Sequence, residues 1–493
     1  MKLKVKFLKW SAGIPGVMLH KKTANKMGVQ ISGKVSIKTL KKYPKEFSTS
    51  VNTIEGVVEE NEILVSAETK SKLGLKENES VDVNIAPSPK SIIYIKKKLQ
   101  GKKLNEKEIY LIIEDIVKNN LSEPEVALFV SVMYEKGMTF KEIFSLIKAI
   151  LNSGNQLKFK QKDLADKHSI GGIPGNRTTP IVIAICAAAG LNMPKTSSKA
   201  ITSAAGTADV MEVLMKIEFN PRELQKILTK VGAFMVWGGA LSLVPADSKI
   251  IKIEKELKID PEAQLLASIM SKKLAVGSKH ILIDIPYGKT AKVTKSRALK
   301  LKKKFEIIGK HFKRNLKVVL TDGSQPIGRG VGPVLELIDV IKILNPKEKG
   351  PKDLEEKSIF LAAQLLEMTK KVKKGKGIGL AEEILYSGKA FKKFKEIIKA
   401  QEGKLIELKL SEYKKDILAK KNGKIKEIDN KKINLLARSA GCPADKYAGL
   451  YLNKKVGEIV KKGESIITIY SQSKPRLEEA TKLYLNLNPI KIK

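Results

Sequence analysis

The sequence predicts a multidomain α/β protein: an N-terminal double-psi-like β-barrel, a helical lobe, an α/β lobe with a mixed sheet, and a β-rich C-terminal domain. Three observations carry this. The first hundred residues hold a repeated strand–helix–strand pattern, residues 103–152 show helical periodicity between capping signals, and residues 160–345 alternate short apolar strands with helices and glycine-rich loops. The predicted boundaries are 1–98 for the barrel, 99–165 for the helical lobe with parts of 222–280 added to it, 166–405 for the α/β lobe, and 406–493 for the last domain.

In the barrel region, His20-Lys-Lys-Thr-Ala-Asn-Lys-Met-Gly-Val29 leads into Lys34-Val-Ser-Ile37, and Ser66-Ala-Glu-Thr-Lys-Ser-Lys-Leu-Gly-Leu75 leads into Ser80-Val-Asp-Val83. Each copy reads as a strand, a short helix stopped by a glycine, and another strand. Two copies of one unit suggest a pseudo-symmetric barrel. In the helical region, Asn105, Ser122 and Thr139 stand where N-caps belong, and Glu125 and Glu142 follow the last two at the spacing of a capping box. In the α/β region, Ile281–Ile285 and Lys317–Leu320 read as buried strands. Residues 346–402 read as charged helices around a Gly375-Lys-Gly-Ile-Gly379 loop, and 406–493 as short strands such as Ser465–Tyr470.

Composition narrows the function classes. No apolar stretch is long enough to span a bilayer. The Lys-apolar alternation at the start reads as a strand and not as a signal peptide. Cys186 and Cys442 are far apart and without metal-site spacing, which fits a reducing cytoplasm and no disulfide framework. The net charge of +41 has two readings: a nucleic-acid binder drawn to phosphates, or lysines spread over solvated faces. The charge runs along the whole chain, including the Lys302–Lys304 and Lys370–Lys374 runs. No zinc-finger spacing or aromatic-rich RNA signature accompanies it, so no specific nucleic-acid partner and no membrane partner is expected. His20, His168, His280 and His311 lack ligand spacing, so no metal is expected.

The chemistry concentrates between Asp166 and Asp209. Asp166-Lys-His-Ser-Ile-Gly-Gly172 joins a strand to Lys, Ser and two glycines, whose backbone N–H groups can approach an anion closely. Thr179 and Pro180 then open an apolar helix ending at Gly190. A second loop, Thr196-Ser-Ser-Lys-Ala-Ile-Thr-Ser-Ala-Ala-Gly-Thr207, precedes a helix whose Asp209 and Glu212 are spaced as a capping pair. Each loop alone is compatible with an ordinary turn; two of them, each feeding a helix, favour bound phosphate. Asp260, followed by Pro261, reads as a helix N-cap. Gly328-Arg-Gly-Val-Gly332 lacks dinucleotide-fingerprint spacing and reads as a tight turn near the cleft. His168 is placed either to touch ligand or to brace its loop.

These two loops, with Ser271-Lys-Lys-Leu-Ala275 and Thr321-Asp-Gly-Ser-Gln-Pro-Ile-Gly-Arg-Gly-Val-Gly-Pro333, closely resemble the thymidine/pyrimidine-nucleoside phosphorylase family over roughly residues 100–493. The N-terminal extension and the second loop resemble that family's archaeal AMP phosphorylase branch end to end. The resemblance implies a phosphate site of Lys167, Ser169, Ser197 and Thr207. It implies AMP contacts at Gly172, Ser198, Lys199, Ala200, Ile201, Thr202, Ser203, Thr207, Ser268 and Lys292, with Asp260 as proton donor. It also implies AMP, CMP or UMP and phosphate as substrates, no cofactor, and a homodimer or larger homo-oligomer. The chain departs from the branch at Lys199, where Arg is expected and the planar fork is lost. It departs from the pyrimidine enzymes across Ser248-Lys-Ile-Ile-Lys-Ile253, which lacks their base-reading Arg. The rival readings are a pyrimidine-nucleoside phosphorylase and, in another class, a basic nucleic-acid-binding protein.

Overall fold

The computed structural model describes residues 1–7, 15–31, 33–200 and 203–493. The chain divides into two compact units, 1–153 with 245–268, and 154–244 with 269–493.

The first unit opens with β1 (Lys2–Phe7), β2 (Gly16–His20), α1 (Lys21–Met27), β3 (Lys34–Thr39), β4 (Glu46–Ile54), β5 (Glu62–Val65), α2 (Ala67–Leu73) and β6 (Ser80–Ile85). The strands close a barrel in the order β1-β5-β2-β4-β3-β6. The β1–β5 and β2–β4 pairs are parallel and the other four antiparallel. Exchanging β1 with β4, β2 with β5 and β3 with β6 leaves every pair unchanged, and this is the two-fold relation that the sequence repeat encodes. Both helices stop at a left-handed glycine, Gly28 at φ +67° and Gly74 at φ +64°. Alternate strand residues such as Leu3, Val5, Val17, Leu19, Val81 and Val83 fill the interior.

The helices α3 (Ser91–Leu99), α4 (Glu106–Val117), α5 (Glu123–Lys136) and α6 (Phe140–Asn152) follow. Asn105, Ser122 and Thr139 each cap with a complete capping box, closed by Glu108, Glu125 and Glu142. The helix Pro245–Leu257 joins them late in the sequence. Its Lys249 donates to the carbonyls of Ile116 and Val117, both at 2.8 Å, while Lys34 of β3 donates to those of Asn119 and Asn120 at 2.8 and 2.7 Å. The barrel and the late helix therefore each place a lysine amine on the carbonyls at the C-terminal end of α4, where a helix runs short of backbone donors.

The second unit contains β7 (Ala165–Ser169), α7 (Thr178–Ala188), β8 (Met193–Ser197), α8 (Thr207–Met211), α9 (Pro221–Val231) and β9 (Ala233–Trp237). After α10 (Pro245–Leu257), α11 (Glu262–Ala275) starts in the first unit and ends in the second. Then come β10 (His280–Tyr287), α12 (Lys295–His311), β11 (Asn315–Asp322), β12 (Gly330–Val331), α13 (Pro333–Leu344) and α14 (Lys352–Met368). The sheet β11-β10-β7 and the pair β8-β9 are parallel throughout, which corrects the mixed sheet expected for this lobe. Helices α7, α9 and α12 supply the long connections that parallel neighbours need. Every residue of α7 from Thr178 to Ala187 is buried, as its unbroken apolar run requires.

Residues 154–165, expected with the helical lobe, group with the second unit. Leu157 donates to the Ala275 carbonyl at 2.8 Å, and Lys279 donates to that of Leu164 at 2.9 Å. In the last domain, strands Gly449–Leu452, Ser465–Ser471 and Tyr413–Leu418 make an antiparallel sheet whose fourth strand is β12. A second sheet and the helices Asn430–Ala440 and Lys474–Leu487 complete it, so the domain is less purely β than its sequence suggested.

Candidate active site

The first loop leaves β7 and turns into α7 through Gly171, Gly172 and Gly175, at φ +82°, +92° and +71°, a region that favours glycine. A Cβ on Gly172 would fall 2.8 Å from the Cβ of Lys292, so the loop closes directly on that lysine. Gly175 lies against the backbone of Ile327 and Gly330, so the glycine-rich turn at 328–332 backs this loop. That turn also runs into β12, and Arg329 ion-pairs with Glu458, which gives it a role in joining the last domain as well.

Lys167 is buried, and its Nζ donates to Thr178 Oγ1 at 2.6 Å. Burial pushes its pKa down to about 7, with Lys357 and Arg177 adding to the fall and Asp284 and Asp166 opposing it. Asp166 accepts from two buried lysines, Lys273 at 2.7 Å and Lys195 at 3.1 Å, and Lys195 also donates to the Lys167 carbonyl at 2.8 Å. Burial and the charges of Lys273 and Lys195 hold His168 well below its usual range, so it is a neutral imidazole. Asp284 accepts from Thr321 at 2.6 Å and faces Lys357 at 3.2 Å. Burial pushes its pKa up, but Lys357 and Lys167 outweigh that and keep it a carboxylate.

The second loop leaves β8 at Ser197. Asp209 Oδ2 accepts from the backbone N–H of Gly206 at 2.8 Å and of Ala200 at 2.6 Å. Asp209 is thus the third helical residue of a box capped at Gly206, and α8 begins at Thr207; the expected pairing of Asp209 with Glu212 is not what caps it. A Cβ on Gly206 would stand 2.8 Å from the Ala200 nitrogen, so only glycine lets the loop fold back here. Lys199 binds Glu212 at 2.9 Å and lies 4.8 Å over the Trp237 ring. Glu212 also holds Lys446 at 2.7 Å.

The hydroxyls share one polarity. Thr178 accepts from Lys167, Thr207 accepts from Arg177 at 2.8 Å, and Ser169 accepts from the Asn176 amide at 3.3 Å. Arginine, and lysine as the ammonium, can only donate, so Thr207 accepts from Arg177, Thr178 accepts from charged Lys167, and each then keeps its own O–H proton for another acceptor. Ser197 Oγ and Thr196 Oγ1 are buried with no hydrogen-bond partner among the described residues. A set of donors beside a lysine suits an oxyanion. Sequence reasoning missed Thr178, Asn176 and Arg177; the available signal was a run of polar side chains directly after a glycine turn and before a buried helix.

The described candidates Gly172, Ser198, Lys199, Ala200, Ser203, Thr207 and Lys292 belong to the second unit, with Lys167, Ser169 and Ser197, while Asp260 and Ser268 belong to the first. Ile201 and Thr202 lie outside the described residues. Helix α11 starts at Glu262, with the Pro261 carbonyl accepting from Leu265, so Asp260 stands two residues before the helix and not in the expected capping position.

Comparison with known proteins places this architecture. Residues 161–391 match the glycosyl transferase family, a/b domain, and 93–154 match that family's helical bundle domain. Residues 424–491 match the pyrimidine nucleoside phosphorylase C-terminal domain. The crystal structure of anthranilate phosphoribosyltransferase (TrpD) from Thermus thermophilus shares the fold at a TM-score of 0.53 and 18% identity, over 63% of this chain and 99% of that one. Fold and site therefore define an enzyme of the glycosyl transferase class that combines a helical bundle with an α/β lobe. The AMP phosphorylases of Pyrococcus furiosus and Thermococcus kodakarensis are each 42% identical over 100% of this chain and 98% of their own length. That of Methanococcoides burtonii is 42% identical over 98% and 95%. The chain belongs to the AMP phosphorylase family. Among the described residues no helix is long and apolar enough to cross a membrane.

Proposed function

We infer that the protein uses inorganic phosphate to cleave the N-glycosidic bond of AMP, giving adenine and ribose 1,5-bisphosphate. The observation that carries this reading is the polarity of the hydroxyls: Thr207 accepts from Arg177 and Thr178 from the Lys167 ammonium, which leaves both protons available to an anion. Lys167, Ser169, Ser197 and Thr207, joined by Thr178, hold the attacking phosphate. Lys199, Lys292 and the Ser198–Ser203 stretch with Ser268 take the nucleotide, and Gly172 provides close backbone approach. Phosphate oxygen attacks the ribose C1′ as the bond to the base breaks, and Asp260 gives its proton to the departing base. The developing positive charge on the ribose is matched by the incoming phosphate, so positioning supplies most of the rate.

The reaction draws on no cofactor, since phosphate is the co-substrate. CMP and UMP are further candidate substrates, the assembly is a homodimer or larger, and the enzyme acts in the cytoplasm. The pairing exchange of the N-terminal strands is the ground for reading that barrel as double-psi-like. The domain plan of barrel, helical lobe, α/β lobe and C-terminal domain follows the same reading. The test is a panel of AMP, CMP, UMP, adenosine and thymidine at fixed phosphate, scored by released base. Release from AMP that requires phosphate supports the reading; equal release from thymidine or adenosine overturns it.

A further inference from the structure

Arg177 is buried and uses all three guanidinium nitrogens. Nε and Nη2 meet Glu336 Oε2 at 2.7 and 2.6 Å, Nη1 donates to Thr207 Oγ1 at 2.8 Å, and Nη2 donates to the Ala205 carbonyl at 2.9 Å. It sits at the N-cap of α7, with no side-chain cap bond. A cation there opposes the helix dipole, and Ser, Thr, Asn or Asp would cap better. The helix thus gains nothing from an arginine at this place; what the arginine reaches is the second loop.

We propose that Arg177 is a positioning residue for phosphate, locking the two anion loops in register and fixing Thr207 as a hydrogen-bond donor to the substrate. Three features converge on this role. Arg177 follows directly on the first loop and precedes Thr178, the acceptor of the Lys167 bond. Its Nη1 can only donate, so the Thr207 proton points away from it. Its Nη2 holds the Ala205 carbonyl, one residue before Gly206, whose N–H is held by Asp209. The loop is thereby pinned on both sides of the glycine that lets it fold back. Glu336 of α13 also accepts from the Gly332 N–H at 3.1 Å. It orients the guanidinium, and with all three nitrogens engaged Arg177 positions the loop while Lys167 is left to meet the anion.

The proposal rests on the phosphate reading of Thr207, and a double-mutant cycle separates the two. Steady-state kinetics with varied phosphate and with varied AMP would be measured for Arg177→Met, Thr207→Val and the double variant. Arg177→Met is expected to raise the phosphate KM by roughly tenfold or more while leaving the AMP KM within about threefold. Arg177→Lys should recover part of the loss, because one ammonium cannot reproduce the fork. In the double variant the two effects should fall well short of multiplying, because Arg177 acts through Thr207. If Thr207→Val leaves the phosphate KM unchanged, the phosphate reading of the second loop fails, and this proposal with it. If Thr207→Val raises it but Arg177→Met does not, or the effects multiply fully, Arg177 is only a structural residue. Glu336→Gln keeps the shape but leaves one acceptor for both Arg177 and the Gly332 N–H and removes the counter-charge, so its Tm should fall; measured well below that Tm, its phosphate KM should rise while the AMP KM stays within about threefold, and an unchanged phosphate KM overturns the proposal.

Discussion

The Lys167 ammonium donates a 2.6 Å hydrogen bond to the Thr178 hydroxyl, so the buried cation also fixes which way that hydroxyl donates. Lys167→Ala is expected to raise the phosphate KM by roughly ten- to a hundredfold and to lower kcat, the size of a lost charge-assisted contact. Thr178→Val should raise the phosphate KM by a smaller factor, with the AMP KM nearly unchanged. Initial rates at varied phosphate decide both, and an unchanged phosphate dependence in Lys167→Ala removes this lysine from the site.

The same lysine makes phosphate binding pH-dependent. With its pKa down to about 7, much of the free site is uncharged above neutrality. A bound dianion favours the ammonium and raises that pKa, so binding at about pH 8.5 should take up about one proton. Calorimetry in buffers of different ionisation enthalpy measures this. Lys167→Met should abolish the uptake; uptake that persists in that variant assigns the proton to another group.

Asp260→Asn should keep the fold and substrate binding while lowering kcat by about a hundredfold or more, as expected for a lost general acid. Asparagine matches the size of aspartate and serves at helix starts as well, so a loss of fold is not the expected cause of the effect. Normal turnover in the variant, with an unchanged melting curve, would show that the base takes its proton from elsewhere.

Lys199 is held by Glu212, and Glu212 has Lys446 as a second partner, so Lys199 can leave without abandoning a carboxylate. AMP should be preferred to adenosine by about a hundredfold or more in kcat/KM, because only the nucleotide carries a 5′-phosphate for Lys199 and Lys292 to bind. Lys199→Ala and Lys292→Ala should each shrink that ratio. A ratio that does not move under either substitution would leave the 5′-phosphate to be recognised by other residues.

At the C-terminal end of α4, burial lowers Lys249 to a pKa of about 7 and Lys34 to about 8. Between those values and the ordinary lysine range near 10.4, the unfolded chain binds more protons than the folded one, so these lysines make stability rise with pH across that window. Lys249→Met should flatten the rise in Tm between about pH 7 and about pH 9.5. Thermal melts of both proteins at the two pH values test it, and identical slopes would refute the assignment.

Much of the fold was legible because its signals are local. Asn105, Ser122 and Thr139 cap through a glutamate three residues away, and a box of that size is written within a single helical turn. The barrel's two-fold was visible for the same reason, since each half repeats one strand–helix–glycine–strand unit. Less visible was where α8 starts, because Asp209 reaches back nine residues to Ala200 and closes the loop, not the helix alone.

By itself, the sequence determined the elements, the family and the order of the two polar loops, all through short-range pattern and motif. The tertiary structure alone decided that Arg177 meets Thr207 thirty residues on, that Lys273 meets Asp166 across 107 residues, and that β12 leaves the α/β lobe to join the last domain's sheet. It also decided that 245–268 groups with the first unit, a finer division than the parts of 222–280 expected from the sequence. Helical and strand periods report only which face of an element is buried. They carry no record of which distant polar group a buried charge will find, and that choice is made by packing, where an unpaired buried charge costs more than its partner's order.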